Sequence, residues 1–220
     1  MNNTEVISKV TEIVKKELGL EGSGHDWWHI FRVHNLAKSI ACSEECNHFI
    51  VELAALLHDI ADWKMNDGNE EIGPSKARQI LIDLEVDEEL ADLVYNIIKD
   101  ISFKGAENTN PKTIEAQIVQ DADRLDAIGA VGIARTFAYG GFKHRLIHNP
   151  EINPQLNMNR DQYLKNEGST INHFYEKLLL LKDLMNTETG RRSAESRHLY
   201  MENYLNQFYS EWNGEDIIGR

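Results

Sequence analysis

Apolar residues return at every third or fourth position along almost the whole chain, and no segment shows a convincing strand alternation. That spacing is the signature of amphipathic helices, and it restricts the chain to an all-α architecture. Val6, Ile7, Val10, Ile13, Val14 and Leu18 form one face of a first helix, with Thr4 as its expected N-cap. A second helix is expected from about His29 to Cys46, with Val33, Leu36, Ala37 and Ile40 turned inward. Asn47 is placed to cap a third, ending near Ile60. Helical segments follow at about 75 to 85 and 88 to 102, the latter opened by Asp87 and the acidic pair Glu88–Glu89. One long helical pattern covers about 114 to 139, and two more close the chain near 170 to 186 and 190 to 211. Between them, "YGGFKHRLIHNPEINPQLN" is the longest irregular stretch. No repeat and no linker divides two cores, so one helical domain over residues 1–220 is the simplest organisation.

Composition narrows the function classes. No run approaches the roughly 18 apolar residues needed to span a bilayer. The opening "MNNTEVISKVTEIVKKELGL" is amphipathic and lacks the continuous apolar block of a signal peptide. Cys42 and Cys46 make no disulfide framework. With His48 they resemble half of a zinc site, but there is no second half. A reduced, cytoplasmic protein is expected. With no run long enough to span a bilayer, no membrane partner is expected, and the net charge of -13 argues against general nucleic-acid binding, which needs a basic face. The charge is uneven, however. Ala127 to Pro150 holds no Asp or Glu but includes Arg135, Lys143, His144, Arg145 and His148. On so acidic a chain that window points to an anionic ligand; the alternative is a chance gap in a partly buried helix.

The chemistry begins at "ELAALLHDIADWK", where the apolar run Leu53 to Leu57 stops at His58-Asp59. A lone HD pair is ordinarily structural, the histidine bonding a backbone carbonyl. Its weight depends on what else meets it. "HDWWH" has the spacing of the zincin motif H-E-x-x-H, with Asp for Glu. Gly22, Ser23 and Gly24 instead place His25 in a loop before the helix, which removes the shared face with His29. In "IVQDADRLDAIGAVGIA" three aspartates interrupt an apolar helix. Asp123 shares a stripe with Val119, Ala127 and Ala130, whereas Asp121 lies about 160° away round the helix. A carboxylate on a core-facing stripe needs a partner or a metal. His29, His58, Asp59 and Asp123 come from three helices. Two imidazoles and two carboxylates suit one divalent transition metal with open water positions: Mn, Fe, Ni, Co or Zn, with Mg less suited to nitrogen ligands.

The strings "HIFRV", "AALLHD" and "ADRLDAIG", in that order and spacing, resemble the HD-domain superfamily of metal-dependent phosphohydrolases. "QDADRLDAIGAVGIARTFAYGG" and "HFYEKLLLLKDLMNTETGR" extend the likeness to the small bacterial YedJ-like group, over about residues 25 to 212. The resemblance implies a single HD-type domain with its motif-bearing core at about 25–140 and C-terminal helices at about 168–212 packed on it. It implies that His29, His58, Asp59 and Asp123 are the metal ligands. Larger sites of the family add histidines between the second and third motifs. Here Ala61 to Ala122 contains none, although Asp100 stands where one would be sought, which argues for one metal ion.

A metal with open positions lowers the pKa of bound water and polarises a phosphoryl oxygen. Asp62, three residues after Asp59, stands where related enzymes place an acidic residue that assists the water or leaving group; its structural alternative is a cap for the following turn. Lys64 is assigned with it to the catalytic set. Arg32, one turn from His29, and Arg135, Lys143 and Arg145 are candidates for substrate phosphate, with Asp126 at the edge of the site. Gly140-Gly141 makes the 140–150 loop a candidate lid. Trp27, Trp28 and Trp63 flank the motifs and are better read as packing than as base stackers. The expected substrate is a small phosphorylated metabolite, a nucleotide being the first to consider. The competing reading is a nucleotide-sensing module that binds without turnover. Oligomeric state stays open.

Overall fold

The computed structural model describes residues 1–19, 26–61, 69–101, 111–158, 162, 166 and 168–217. All regular structure among them is helical. Helix α1 (Asn3–Leu18) starts two residues earlier than a cap at Thr4 would place it. Asn2, not Thr4, is its cap, and Asn2 and Glu5 exchange side-chain-to-backbone bonds in a capping box. Helix α2 (Trp27–Ala41) opens with the Asp26 carboxylate accepting from the His29 N–H at 2.9 Å. It ends at Ala41 rather than Cys46. Glu44 and Glu45 are poorly suited to the negative end of a helix, and the chain turns there towards the next cap. Asn47 caps α3 (His48–Leu57) by accepting from Phe49 and Ile50.

Helices α4 (Ile72–Asp83) and α5 (Glu88–Ile101) pack on one another. The long pattern at 114–139 is two helices, α6 (Ile114–Asp126) and α7 (Gly129–Phe142). The break lies at Gly129, whose φ of 76° is left-handed, and where a Cβ would come within 3.0 Å of the Arg197 stem. Apolar spacing runs straight across such a break and does not reveal it. Short α8 (Thr170–Glu176) leads into a 3₁₀ turn (Leu178–Leu184), then α9 (Glu188–Trp212) closes the chain.

Helix α3 is the centre of the fold. Leu53 through Leu57 have no exposed surface, because α1, α2, α5 and α6 all pack against this one short helix. Full burial of each leucine is worth roughly 1.5–3 kcal/mol. The core runs continuously from Val6 to Leu205. Among the described residues no helix is long and apolar enough to cross a membrane. The stretch after α7 is stitched down rather than loose. Thr170 and Ile171 donate backbone N–H groups to the carbonyls of Leu146 and Ile147 at 2.9 and 3.0 Å. Gly140 lies inside α7, where a Cβ would collide with Thr170. Its lack of a side chain serves close helix contact, so the structure gives no support to a deformable lid at 140–150.

Candidate metal centre

Three helix ends deliver one cluster of donor atoms. The buried His29 comes from the first turn of α2, His58 and Asp59 follow the last residue of α3, and Asp123 comes from α6. His29 Nε2 stands 3.3 Å from His58 Nε2, 3.4 Å from Asp59 Oδ2 and 3.5 Å from Asp123 Oδ1. His58 Nε2 is 3.6 Å from Asp59 Oδ2 and 4.0 Å from Asp123 Oδ1. Two donors about 2.1 Å from a common ion stand roughly 3.0–3.6 Å apart for ligand angles of about 90–120°. The cluster has that spacing, with Asp123 somewhat outside it. Asp59 and Asp123 are the exposed members, with side chains 24% and 48% accessible, so the site opens on their side.

The ring orientations decide what the cluster can hold. His58 Nδ1 donates to the Ala55 carbonyl at 2.9 Å. The structural reading of an HD pair is therefore correct here, and the same bond aims a bare Nε2 at the other donors. His29 Nδ1 lies 2.8 Å from Asp126 Oδ2 and donates to it. Both rings thus turn Nε2 towards each other and towards two carboxylates, and in the neutral ring each of these nitrogens carries a lone pair. Such an array of acceptors is stable only around positive charge. Burial resists a charge on His29, yet Asp126, Asp59 and Asp123 outweigh it and push its pKa up to about 9. A divalent ion satisfies the same demand, and histidine held through Nδ1 by a carboxylate or carbonyl is the usual support for a metal ligand.

Asp126 is the residue whose place the sequence least reveals. It sits at the C-terminal end of α6 with 1% exposure, not at a substrate-facing edge. Besides His29, its oxygens accept from Arg32 Nε at 2.6 Å, Arg32 Nη2 at 3.0 Å and Arg135 Nη1 at 2.6 Å. Burial alone would raise its carboxyl pKa; His29, Arg32 and Arg135 hold it well below the usual carboxylate range. Arg32, Arg135 and Asp126, the candidates for substrate contact, here bond to one another. They form a layer behind His29. Lys143 lies over the rings of Tyr139 and Phe142 at 5.7 and 5.6 Å, and Arg145 donates to the Asn166 carbonyl at 3.0 Å. The recorded contacts of these two residues do not involve the cluster. Asp62, Lys64, Trp63 and His25 lie outside the described residues.

Asp121 points the other way from Asp123. Fully buried, it accepts from the backbone and side chains of Asn186 and Thr187 at 2.7–3.1 Å, just ahead of α9. Arg124, on the same helix, donates to the Leu184 carbonyl. Among the described residues, His29, His58 and Asp59 are the group whose ligand atoms are mutually close enough to bind an ion, and Cys42, Cys46 and His48 make no such group.

The HD-domain family model matches residues 27–128, which hold every donor of the cluster. The uncharacterized protein YpgQ of Bacillus subtilis is 39% identical over 218 residues, 98% of each chain. The crystal structure of an HD-superfamily hydrolase from Bacillus thuringiensis is 48% identical with a TM-score of 0.76, covering 96% of this chain and 99% of that one. The crystal structure of YpgQ in complex with ADP is 36% identical with a TM-score of 0.73, covering 93% and 97%.

Proposed function

Because this chain belongs to the HD-domain family, we propose that it is a metal-dependent phosphohydrolase acting on a small phosphorylated metabolite such as a nucleotide. The observation that carries this reading is the meeting of two Nε2 lone pairs and two carboxylates, with each ring fixed through its Nδ1. His29, His58, Asp59 and Asp123 would hold one divalent ion of the Mn, Fe, Ni, Co or Zn type. Such an ion supplies Lewis-acid activation of water and of a phosphoryl group. The binding of ADP by the relative YpgQ supports a phosphorylated ligand for this chain too.

The protein's own residues do the rest. Asp126 holds His29 in one tautomer and orientation, and Arg32 and Arg135 keep Asp126 ionised and in place. Asp62 is the proposed proton acceptor, from its position three residues after Asp59. The more exposed Asp59 and Asp123 leave substrate an approach from their side. A panel of phosphate esters, nucleoside phosphates included, tests the proposal. Turnover should vanish with a chelator and return with one added metal. Nucleotide binding at the cluster, lost in Asp59→Asn, with no release of phosphate or pyrophosphate in any metal-loaded sample would instead make the protein a nucleotide sensor.

A further inference from the structure

Beside Asp126 lies a cleft of about 540 Å³, walled by α2, the start of α7 and the middle of α9, with none of the cluster's four donors in its lining. Its volume falls within the roughly 300–1,000 Å³ of small-molecule sites. Its electrostatics run against the rest of the chain. The protein carries a net charge of -13, yet among the described residues Asp126 is the only carboxylate lining this cleft. Arg32, Arg135 and Arg197 crowd that one carboxylate, Arg197 through space, so positive charge is in excess.

Two of these arginines line the cleft and have donors to spare. Arg32 spends Nε and Nη2 on Asp126, which leaves Nη1. Arg197 spends Nη1 on the Leu125 carbonyl, which leaves Nε and Nη2. Its stem is held in place by the absent side chain of Gly129. The first residues of α7 line the same cleft, and Ile128 gives their N–H groups no side-chain cap. The remaining wall is apolar, with Leu36 and Ile128 inside and Tyr200, 54% exposed, at the mouth. Paired arginines recognise phosphate, and an exposed aromatic ring accepts a flat heterocycle.

We infer that this cleft is a second binding site, separate from the metal cluster, for a small phosphorylated molecule with an aromatic part. The phosphate lies between Arg32 and Arg197 and the aromatic part against Tyr200. The site does not depend on turnover, so it can fail without the hydrolase reading failing, and the converse.

The test is titration calorimetry with ADP on the full chain stripped of metal by a chelator. Wild-type protein should bind. Ser196→Asp and Ser39→Asp add negative charge on exposed positions of opposite walls and leave the core untouched. Each should weaken ADP binding at least tenfold at an unchanged melting temperature. Arg197→Met should weaken it further, and Asp59→Asn should not weaken it. No binding to the wild type at millimolar ADP overturns the inference. So does an affinity indifferent to both serine substitutions, or one lost in Asp59→Asn, which would put the nucleotide at the cluster.

Discussion

Asp126→Asn separates a ligand-positioning role from a structural one. The two oxygens of Asp126 are not equivalent. Oδ2 receives His29 Nδ1 at 2.8 Å, Arg32 Nη2 at 3.0 Å and Arg135 Nη1 at 2.6 Å, while Oδ1 receives Arg32 Nε alone at 2.6 Å. An asparagine of the same shape will therefore put its one oxygen at the Oδ2 position. It keeps the bond to His29, opposes its own NH₂ to Arg32 Nε, and loses the negative charge. His29 stays oriented but becomes a weaker base. Changes to such supporting groups cost about 10–100-fold in metal affinity, and this conservative one belongs near tenfold, or about 1.4 kcal/mol. At saturating metal the stabilisation conferred by the ion falls by the same amount, about 3–6 °C of melting temperature for a domain of this size. Calorimetric titration with Mn(II) and melting curves with and without it read both quantities. If Asp126→Asn binds Mn(II) as tightly as wild type and shows the same metal-induced shift, Asp126 does not tune His29 and the layer behind it is structural only.

Asp59→Ala should purify without metal and without turnover, because His58 cannot replace its charge; full metal content by elemental analysis would remove Asp59 from the site. Asp123→Ala should lose metal and activity together. Asp121→Ala should keep metal but unfold earlier by about 2–4 kcal/mol, since it strands buried donors at the start of α9; a metal-free Asp121→Ala protein would reverse the assignment of the two faces. Gly129→Ala should cost at least the roughly 1–2 kcal/mol of a left-handed residue, read as a lower urea midpoint at constant slope. Burial, with Lys177 and Arg145 nearby, lowers the pKa of His173 from 6.5 to about 3. The fold therefore favours the neutral ring, and its contribution is complete above about pH 6.5 and declines as pH falls towards about 3. His173→Gln should flatten the fall of stability between pH 7 and 4, and an unchanged slope would clear this residue.

What was legible in the chain was local. Helix faces follow from apolar spacing, and the three motifs are short strings whose donors lie at helix ends. The cap at Asn47 was readable for the same reason, since the residue and the groups it caps are two and three positions apart. The Gly129 break was not, because a left-handed glycine leaves the hydrophobic pattern intact. The role of Asp126 was further still from view. Its partners His29 and Arg32 lie 97 and 94 residues away in sequence, and three aspartates within six residues offer no local clue to which is clamped by arginines. The same distance hid the partner of Arg32, whereas Arg135 stands only nine residues from Asp126 but across the Gly129 break.

Helix α6 is committed on two faces, Asp123 towards the cluster and Asp121 towards Asn186 and Thr187. This bears on the order in which a ribosome delivers the parts. Every donor of the cluster has been made by the time the chain reaches residue 123. The groups that satisfy Asp121 arrive more than sixty residues later. Until then α6 cannot bury its back without sealing in a bare carboxylate, so a nascent chain holds the complete donor set before it can fix their positions. Completion of the cluster is thereby tied to the last part of synthesis, and a product that stops short of Asn186 carries all four donors but lacks the contact that seats the helix of Asp123.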